Sequence, residues 1–339
     1  MMKKWLLPIA GLLVSSALVG CSSDEASSEG GEETYEIQVA HLVSEEQSTH
    51  VALESFIERV EERSDGQLQI EAYPNGSLYA SDREAIEAVQ MGNLEMTIPA
   101  VAPLSGFNSK FMVFDLPFLF KTKEAAYSAL DGELGDSLLT DLEDEGFKGL
   151  AFGENGFRHI LNNEGPIETP SDLEGLKLRT MENPVHTDTF NALGANASPF
   201  AFGELYTSLQ QGTYDAMESP VSLVYTNKFY EVQDYLTVSG HFYAATILLM
   251  NKDFMDSLPE ELQTILQEEA ETYRDEQRKL ASEQDEEFLK ELQENEGLKV
   301  NELTPEQKEK FIEATQSVYD EYEDEIGADL IEQAKAANE

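Results

Sequence analysis

Residues 175–220 read GLKLRTMENPVHTDTFNALGANASPFAFGELYTSLQQGTYDAMESP. Leu176, Leu178 and Thr180 alternate as a short strand. Pro184 suits the first turn of a helix, where its missing N–H would have no partner, and Gly194 suits the end of that helix. Phe202 to Gln211 is a second helical run, stopped by Gly212. Tyr214 to Met217 is strand again, and Pro220 opens a further helix. Strands separated by helices at this spacing predict an α/β sheet built with crossovers.

The same alternation occurs toward the N-terminus. Glu36 to Val43 is strand-like, with Ile37, Val39 and Leu42 inside it. Leu53, Phe56, Ile57 and Val60 recur at helical spacing, and Asp65-Gly66 ends that run. Leu68, Ile70 and Ala72 alternate as a half-buried strand closed by Pro74-Asn75-Gly76. Ser81 or Asp82 can cap a helix that carries Ile86 and Val89 and stops at Gly92. Met96 to Val101 is a further strand. Between the two alternating segments, Arg158 to Leu161 predicts a short strand and Thr169 to Asp172 a single helical turn. Beyond them, Thr246 to Met250 predicts a buried strand.

From Pro259 the pattern changes. Leu262, Ile265, Leu266, Ala270 and Tyr273 lead on to Leu280, Phe288, Leu289 and Leu292, with no Gly or Pro between Glu260 and Asn295. A helix of that extent would be roughly 54 Å long at about 1.5 Å per residue. It exceeds one domain of a chain this size and is expected to lie across two.

The first twenty residues read as an address. Lys3 and Lys4 precede the apolar stretch Trp5 to Gly20, which ends in Leu18-Val19-Gly20-Cys21. Small residues before a single cysteine at the end of such a stretch resemble a bacterial lipobox. Residues 1–20 are therefore expected to be a lipoprotein signal peptide, cut before Cys21. Lipid on Cys21 would anchor the protein to the membrane without spanning it. Residues 21–34 are Gly-, Ser- and Glu-rich and aperiodic, as a flexible tether would be.

The 339 residues include 22 Lys+Arg against 67 Asp+Glu, a net charge of −45. Loss of Lys3 and Lys4 with the leader leaves 20 basic residues and a net of −47. A surface this acidic repels a phosphate backbone, so no nucleic-acid partner is expected. It fits either adaptation to salt or alkali, or plain solubility. Hydrophobic residues are 41% of the chain, enough for a sizeable core. One cysteine permits neither an intrachain disulfide nor a thiolate metal site.

Motifs that would carry catalysis are missing. The five histidines are His41, His50, His159, His186 and His241, and none forms an HExxH pair. Neither a Gly-x-Ser-x-Gly elbow, a phosphate loop nor a GxGxxG fingerprint occurs. The scarce cations say more. Arg158 and Arg179 both lie on short apolar strands, where a charge needs a partner. A guanidinium fork matches a carboxylate bidentately, and that carboxylate could be an internal Asp or Glu or a ligand.

Taken together, residues 73–97 (YPNGSLYASDREAIEAVQMGNLEMT), 114–120 (FDLPFLF), 175–220 and 228–237 (KFYEVQDYLT) resemble the substrate-binding proteins of TRAP transporters, the dicarboxylate and sialic-acid receptor superfamily. The resemblance runs from Tyr35 to about Leu330. It implies an α/β, two-domain clamp like that of periplasmic binding proteins, with a long helix spanning both domains. Domain 1 would hold 35–155 plus about 244–283, and domain 2 would hold 156–243 plus about 284–339. It implies an extracytoplasmic receptor, not an enzyme, that delivers a small organic acid to a membrane permease driven by an ion gradient, with no cofactor or metal.

By the same resemblance Arg179 matches the arginine that pairs bidentately with the ligand carboxylate, Arg158 a second arginine that assists it, and Phe202 an aromatic that packs on the ligand. Ser219 stands where the family usually has Asn. His41 and Asp82 lie where the first domain supplies polar groups to the ligand. Pro99-Ala100-Val101 replaces the stretch that carries a ligand-contacting Glu in sialic-acid receptors, which argues against that ligand. A C4-dicarboxylate or sugar-derived acid is the expected ligand. A uronate or ectoine-like ligand, a sensory partner that hands its ligand to a signalling protein, and an extracellular hydrolase are the alternatives.

Overall fold

The computed structural model describes residues 33–339; the expected signal peptide, Cys21 and nearly all of the expected tether lie outside the described residues. Among the described residues nine strands form one sheet: β1 Tyr35–Ala40, β2 Leu68–Tyr73, β3 Met96–Thr97, β4 Phe147–Asn162, β5 Lys177–Thr180, β6 Asn196–Pro199, β7 Ala216–Pro220, β8 Tyr235–Asn251 and β9 Lys299–Glu302. Their order is β2-β1-β3-β8-β4-β7-β5-β6, with β9 paired to β8. The pairs β1·β2, β1·β3, β5·β6 and β5·β7 are parallel, as crossover helices require. The two long strands β4 and β8 run antiparallel through the middle and join the halves.

Alternation along these strands sends successive residues to opposite faces. In β8, Ile247 and Leu249 join one apolar cluster with Ile86, Phe114 and Phe147, while Leu248 and Met250 join another with Leu53, Phe56 and Tyr273. The other end of the sheet repeats the arrangement. Ile160, Leu178 and Phe190 pack on one face, and Leu161, Met217 and Phe229 on the other. Each half is thus a sheet covered by helices on both sides, which is the two-domain clamp fold expected.

The long helix runs from Glu260 to Glu294. Leu262, Leu266 and Tyr273 pack on the first half, while Leu292, with Phe288 and Leu289, packs on the second. It therefore bridges both, as its length requires. The C-terminal residues depart from expectation. In the helix Pro305–Ile326, Phe311 packs with the second half, but Val318, Tyr322 and Ile326, then Ile331 and Ala334, pack with Phe111 and Phe114 of the first. Spaced along one helix, Phe311 and Ile326 reach different apolar clusters, and Tyr322 also donates to Asp188 Oδ2 at 2.5 Å.

Two strands are much longer than the sequence pattern suggests. The strand expected over Arg158 to Leu161 is the end of β4, which also contains Gly149, Gly153 and Gly156, and its register to β8 shifts between Gly149 and Ala151, between Glu154 and Gly156, and between Arg158 and Ile160. These bulges interrupt the period-2 pattern without ending the strand. Conversely, Pro99 shortens the third strand. Beyond Thr97 the chain still bonds to β8, through Ile247 N–H to Pro99 O and Val101 N–H to Ala245 O, but without a regular ladder.

Candidate functional site

Between the halves lies a cleft lined by residues of both. Asp82, Arg158, Arg179, Phe202 and Ser219 all line it. Leu42, Ile98, Pro103, Met181 and Leu223 supply apolar wall.

Arg158 leaves β4 and meets Glu218 of the adjacent β7. Its Nε donates to Glu218 Oε2, and Nη2 donates to Oε1 at 2.8 Å and to the Glu218 carbonyl at 2.9 Å. Both side chains are buried. Burial alone would raise the Glu218 carboxyl, but the Arg158 guanidinium, helped by His241, holds it well below the usual carboxylate range. His241 Nε2 lies 3.4 Å from Glu218 Oε2. Arg158 thus keeps only Nη1 free of partners within the described chain.

Arg179 differs. It stands on β5 beside Met217 of β7, and its Nε donates to Phe200 O at 2.8 Å. Among the described residues no carboxylate lies within ion-pair distance of it, and Nη1 and Nη2 make no hydrogen bond. Burial pushes its guanidinium down to about 10, partly offset by the negative Glu218 and Asp82 nearby, so it remains charged at neutral pH. The guanidinium carbon lies 6.0 Å from the centroid of Phe202, whose ring is held edge-on by Phe229 at 5.8 Å. The outcome is a charged, planar fork fixed at its inner edge and open at its outer edge, the form a ligand carboxylate fits.

Asp82 begins a helix, Asp82–Gln90, capped by Ser81. Its carboxylate accepts from Ala100 N–H at 3.3 Å. Burial raises it to about 7, against the pull of that N–H and of Arg179. Ser219 Oγ is buried and makes no hydrogen bond. A serine hydroxyl reaches less far than an Asn side chain would.

His41 is not brought to the cleft, although its neighbour Leu42 is. It is buried, and its Nε2 lies 3.0 Å from His50 Nδ1. Burial and His50 push it down to about 3, so it is neutral. The chain leaves regular strand geometry after Ala40, which turns the imidazole toward the helix that carries His50.

Several lining residues escaped the sequence reading: Thr49, Asn155, Glu182 and Thr246. Thr49 sits in the first turn of the helix Ser48–Arg63, where a Thr signals capping rather than binding. Glu218 was legible in principle, as a lone carboxylate in the apolar run Ala216-Met217-Glu218. Among the described residues no cluster of His, Cys, Asp and Glu is arranged to hold a metal ion.

Two lobes around a cleft that presents an open guanidinium fork are the form of a solute-binding receptor. Residues 39–325 match the model of bacterial extracellular solute-binding proteins, family 7, and the chain belongs to that family, the substrate-binding receptors of TRAP transporters. A solute-binding protein of Verminephrobacter eiseniae (strain EF01-2) is 43% identical over 219 residues, 64% of this chain and 65% of that one. The chain thus spans just under two thirds of that relative. The C4-dicarboxylate-binding protein DctB of Bacillus subtilis (strain 168) is 34% identical over 303 residues, covering 89% of this chain and 86% of that one. The crystal structure of the sugar acid binding protein DctPAm from Advenella mimigardefordensis strain DPN7T, in complex with galactonate, superposes with a TM-score of 0.88 at 35% identity, covering 91% of this chain and 99% of that one.

Proposed function

We propose that this chain is the extracytoplasmic receptor of a TRAP transporter, that it closes on a small carboxylate between its two lobes, and that it hands the ligand to the permease subunits in the membrane. The observation that carries this is Arg179, a buried guanidinium whose outer nitrogens have no partner in the described chain and face the cleft. Evolution seldom leaves such a charge unpaired in an interior, and a ligand carboxylate supplies the missing partner. Phe202 would cover one side of the ligand, and Arg158 Nη1, Ser219 and Asp82 would hydrogen-bond to it, while His41 would act only through packing.

The lobes are proposed as 35–155 plus about 244–283 and 156–243 plus about 284–317, with 318–336 assigned to the first lobe; the packing of Ile326 and Ile331 in one cluster with Phe111 and Phe114 supports this. The lipobox-like run Leu18-Val19-Gly20-Cys21 supports lipid attachment at Cys21 and tethering through residues 22–34. Cys21→Ala would release the protein from membranes and leave its ligand affinity unchanged.

The test is a thermal-shift screen over organic acids with calorimetry on the hits. A ligand that binds only the folded state raises the melting temperature. The wild type should bind at least one small carboxylate unchanged, and Arg179→Ala should lose it while staying folded. Conversion of the ligand during the experiment, or full affinity in Arg179→Ala, would refute the reading.

A further inference from the structure

Five buried Ser or Thr hydroxyls make no hydrogen bond among the described residues: Ser44, Thr49, Thr189, Ser219 and Thr246. Three of them, Thr49, Ser219 and Thr246, line the cleft. Each of these side chains is 98% or more buried. They come from different elements: Thr49 from a helix of the first lobe, Thr246 from β8, and Ser219 from β7. Local turn geometry therefore does not account for them, and each can donate one hydrogen bond and accept two.

The charges in the cleft point the same way. Arg158 is already neutralised by Glu218. Among the described residues, that leaves Arg179 as the one unpaired cation on the wall, facing two carboxyl groups, Asp82 and Glu182. An ionised carboxylate only accepts hydrogen bonds, so it asks the ligand for donors.

We infer that the cleft selects a hydroxylated monocarboxylate, one carboxylate on a chain bearing hydroxyls, over a plain dicarboxylate. The inference rests on the receptor reading and narrows its ligand. The carboxylate takes the open edge of Arg179. The ligand hydroxyls then donate to Asp82 and exchange hydrogen bonds with Thr49, Thr246 and Ser219. A dicarboxylate such as succinate offers no donor when ionised. Its second charge would face Asp82 and Glu182 without a cation of its own, and its methylenes would leave the three hydroxyls unpaired. Sites built to bond a substrate hydroxyl discriminate strongly against analogues that lack it, because their own polar groups then go unpaired.

The test is calorimetry on the purified full chain at pH 8 with gluconate, erythronate, succinate and fumarate. Erythronate and succinate share four carbons, so size does not decide between them. At least one hydroxy acid should bind about tenfold or more tightly than either dicarboxylate. Thr246→Val and Thr49→Val keep shape and lose the hydroxyl. Each should weaken the better hydroxy acid about fivefold or more and move succinate less than twofold. Ser219→Ala serves as the third such variant if either valine protein fails to melt cooperatively. Succinate or fumarate binding as tightly as both hydroxy acids overturns the inference and leaves the receptor reading standing. So does an unchanged hydroxy-acid affinity in the hydroxyl-deleted variants. Binding of none of the four acids overturns both.

Discussion

Arg158 and Glu218 face each other across neighbouring strands and close a buried, two-pronged ion pair. Arg179, on the next strand but with its fork open, has no such partner. Two arginines that look alike in the sequence therefore have different physical duties. One is fixed by an internal carboxylate and contributes a single nitrogen to the cleft. The other presents its whole outer edge. His241 and His186 stand beside Glu218, His186 with its Nε2 2.9 Å from Asp115 Oδ1, so the pair is embedded in a polar cluster that also takes in Asp115.

Removing one member of a buried pair strands the other without compensation. Arg158→Ala should therefore lower unliganded folding stability by about 3–5 kcal/mol, and Glu218→Gln should do so comparably. Denaturant unfolding without ligand measures it. A change below about 1 kcal/mol in Arg158→Ala would mean that water reaches Glu218 freely and that the pair is not structural.

Arg179 should behave in the opposite way. Arg179→Ala removes a desolvated charge with no internal partner, so the unliganded protein should remain as stable as the wild type within about 1 kcal/mol. Arg179→Lys keeps a charge but loses the planar fork and the bond to Phe200 O. Its loss of ligand affinity should approach that of the alanine variant, about 2–5 kcal/mol. Titration calorimetry with the best-binding acid is the measurement, because the only tryptophan, Trp5, lies far from the cleft in sequence, among the first twenty residues. Near-normal affinity in Arg179→Lys would show that a point charge is sufficient.

At the rim of the cleft the two lobes touch through backbone. Gly203, next to Phe202, donates its N–H to Ala80 O at 3.1 Å, two residues before Asp82. A methyl group on Gly203 would stand 2.9 Å from that oxygen, and backbone cannot yield as a flexible side chain can. Gly203→Ala should therefore disfavour the closed form without disturbing either core. Ligand affinity should fall about tenfold, since affinity scales with the population of the competent state, while the unliganded melting temperature should hold. Unchanged affinity would mean that the lobes close without this contact.

Much of this arrangement was legible in the residues, and the failures have physical causes. The long helix was plain because 35 residues without Gly or Pro keep one apolar face. Arg158 and Arg179 stood out as rare cations on apolar strands. The central strands were cut short because bulges at glycines break the alternation that marks a strand. His41 was misplaced because sequence position near the cleft does not say which way a side chain turns at the end of a strand. Thr49 and Thr246 carry no sequence signal at all: a buried hydroxyl without a partner exists only once the chain has folded. The capping box at Thr304 and Gln307 announces the helix Pro305–Ile326, but nothing local announces that this helix packs into two different apolar clusters.

Asp82 should make binding depend on pH. Burial raises its carboxyl to about 7, against an ordinary value of about 3.9. The folded state then binds more protons than the unfolded one between those values. This group's contribution to stability is thus complete below about pH 4 and fades as pH rises toward 7. Around Asp82 stand Arg179 and Arg158, whose positive charges favour ionisation, and Glu182, whose negative charge opposes it. Ligand binding follows the same linkage. A dicarboxylate placed beside Asp82 gains when that group is neutral, so its affinity should rise as pH falls from 8 to 6, with proton uptake visible as a buffer-dependent heat. A hydroxylated acid donates to the ionised carboxylate, so its affinity should stay level or fall over the same range. Asp82→Asn removes the titration. It should flatten both profiles, narrow the preference for hydroxy acids at pH 8, and leave the unliganded protein more stable at pH 8 than the wild type. Calorimetry at three pH values in two buffers decides the matter. Parallel pH profiles for the two acid classes in the wild type, unchanged in Asp82→Asn, would remove Asp82 from the binding chemistry.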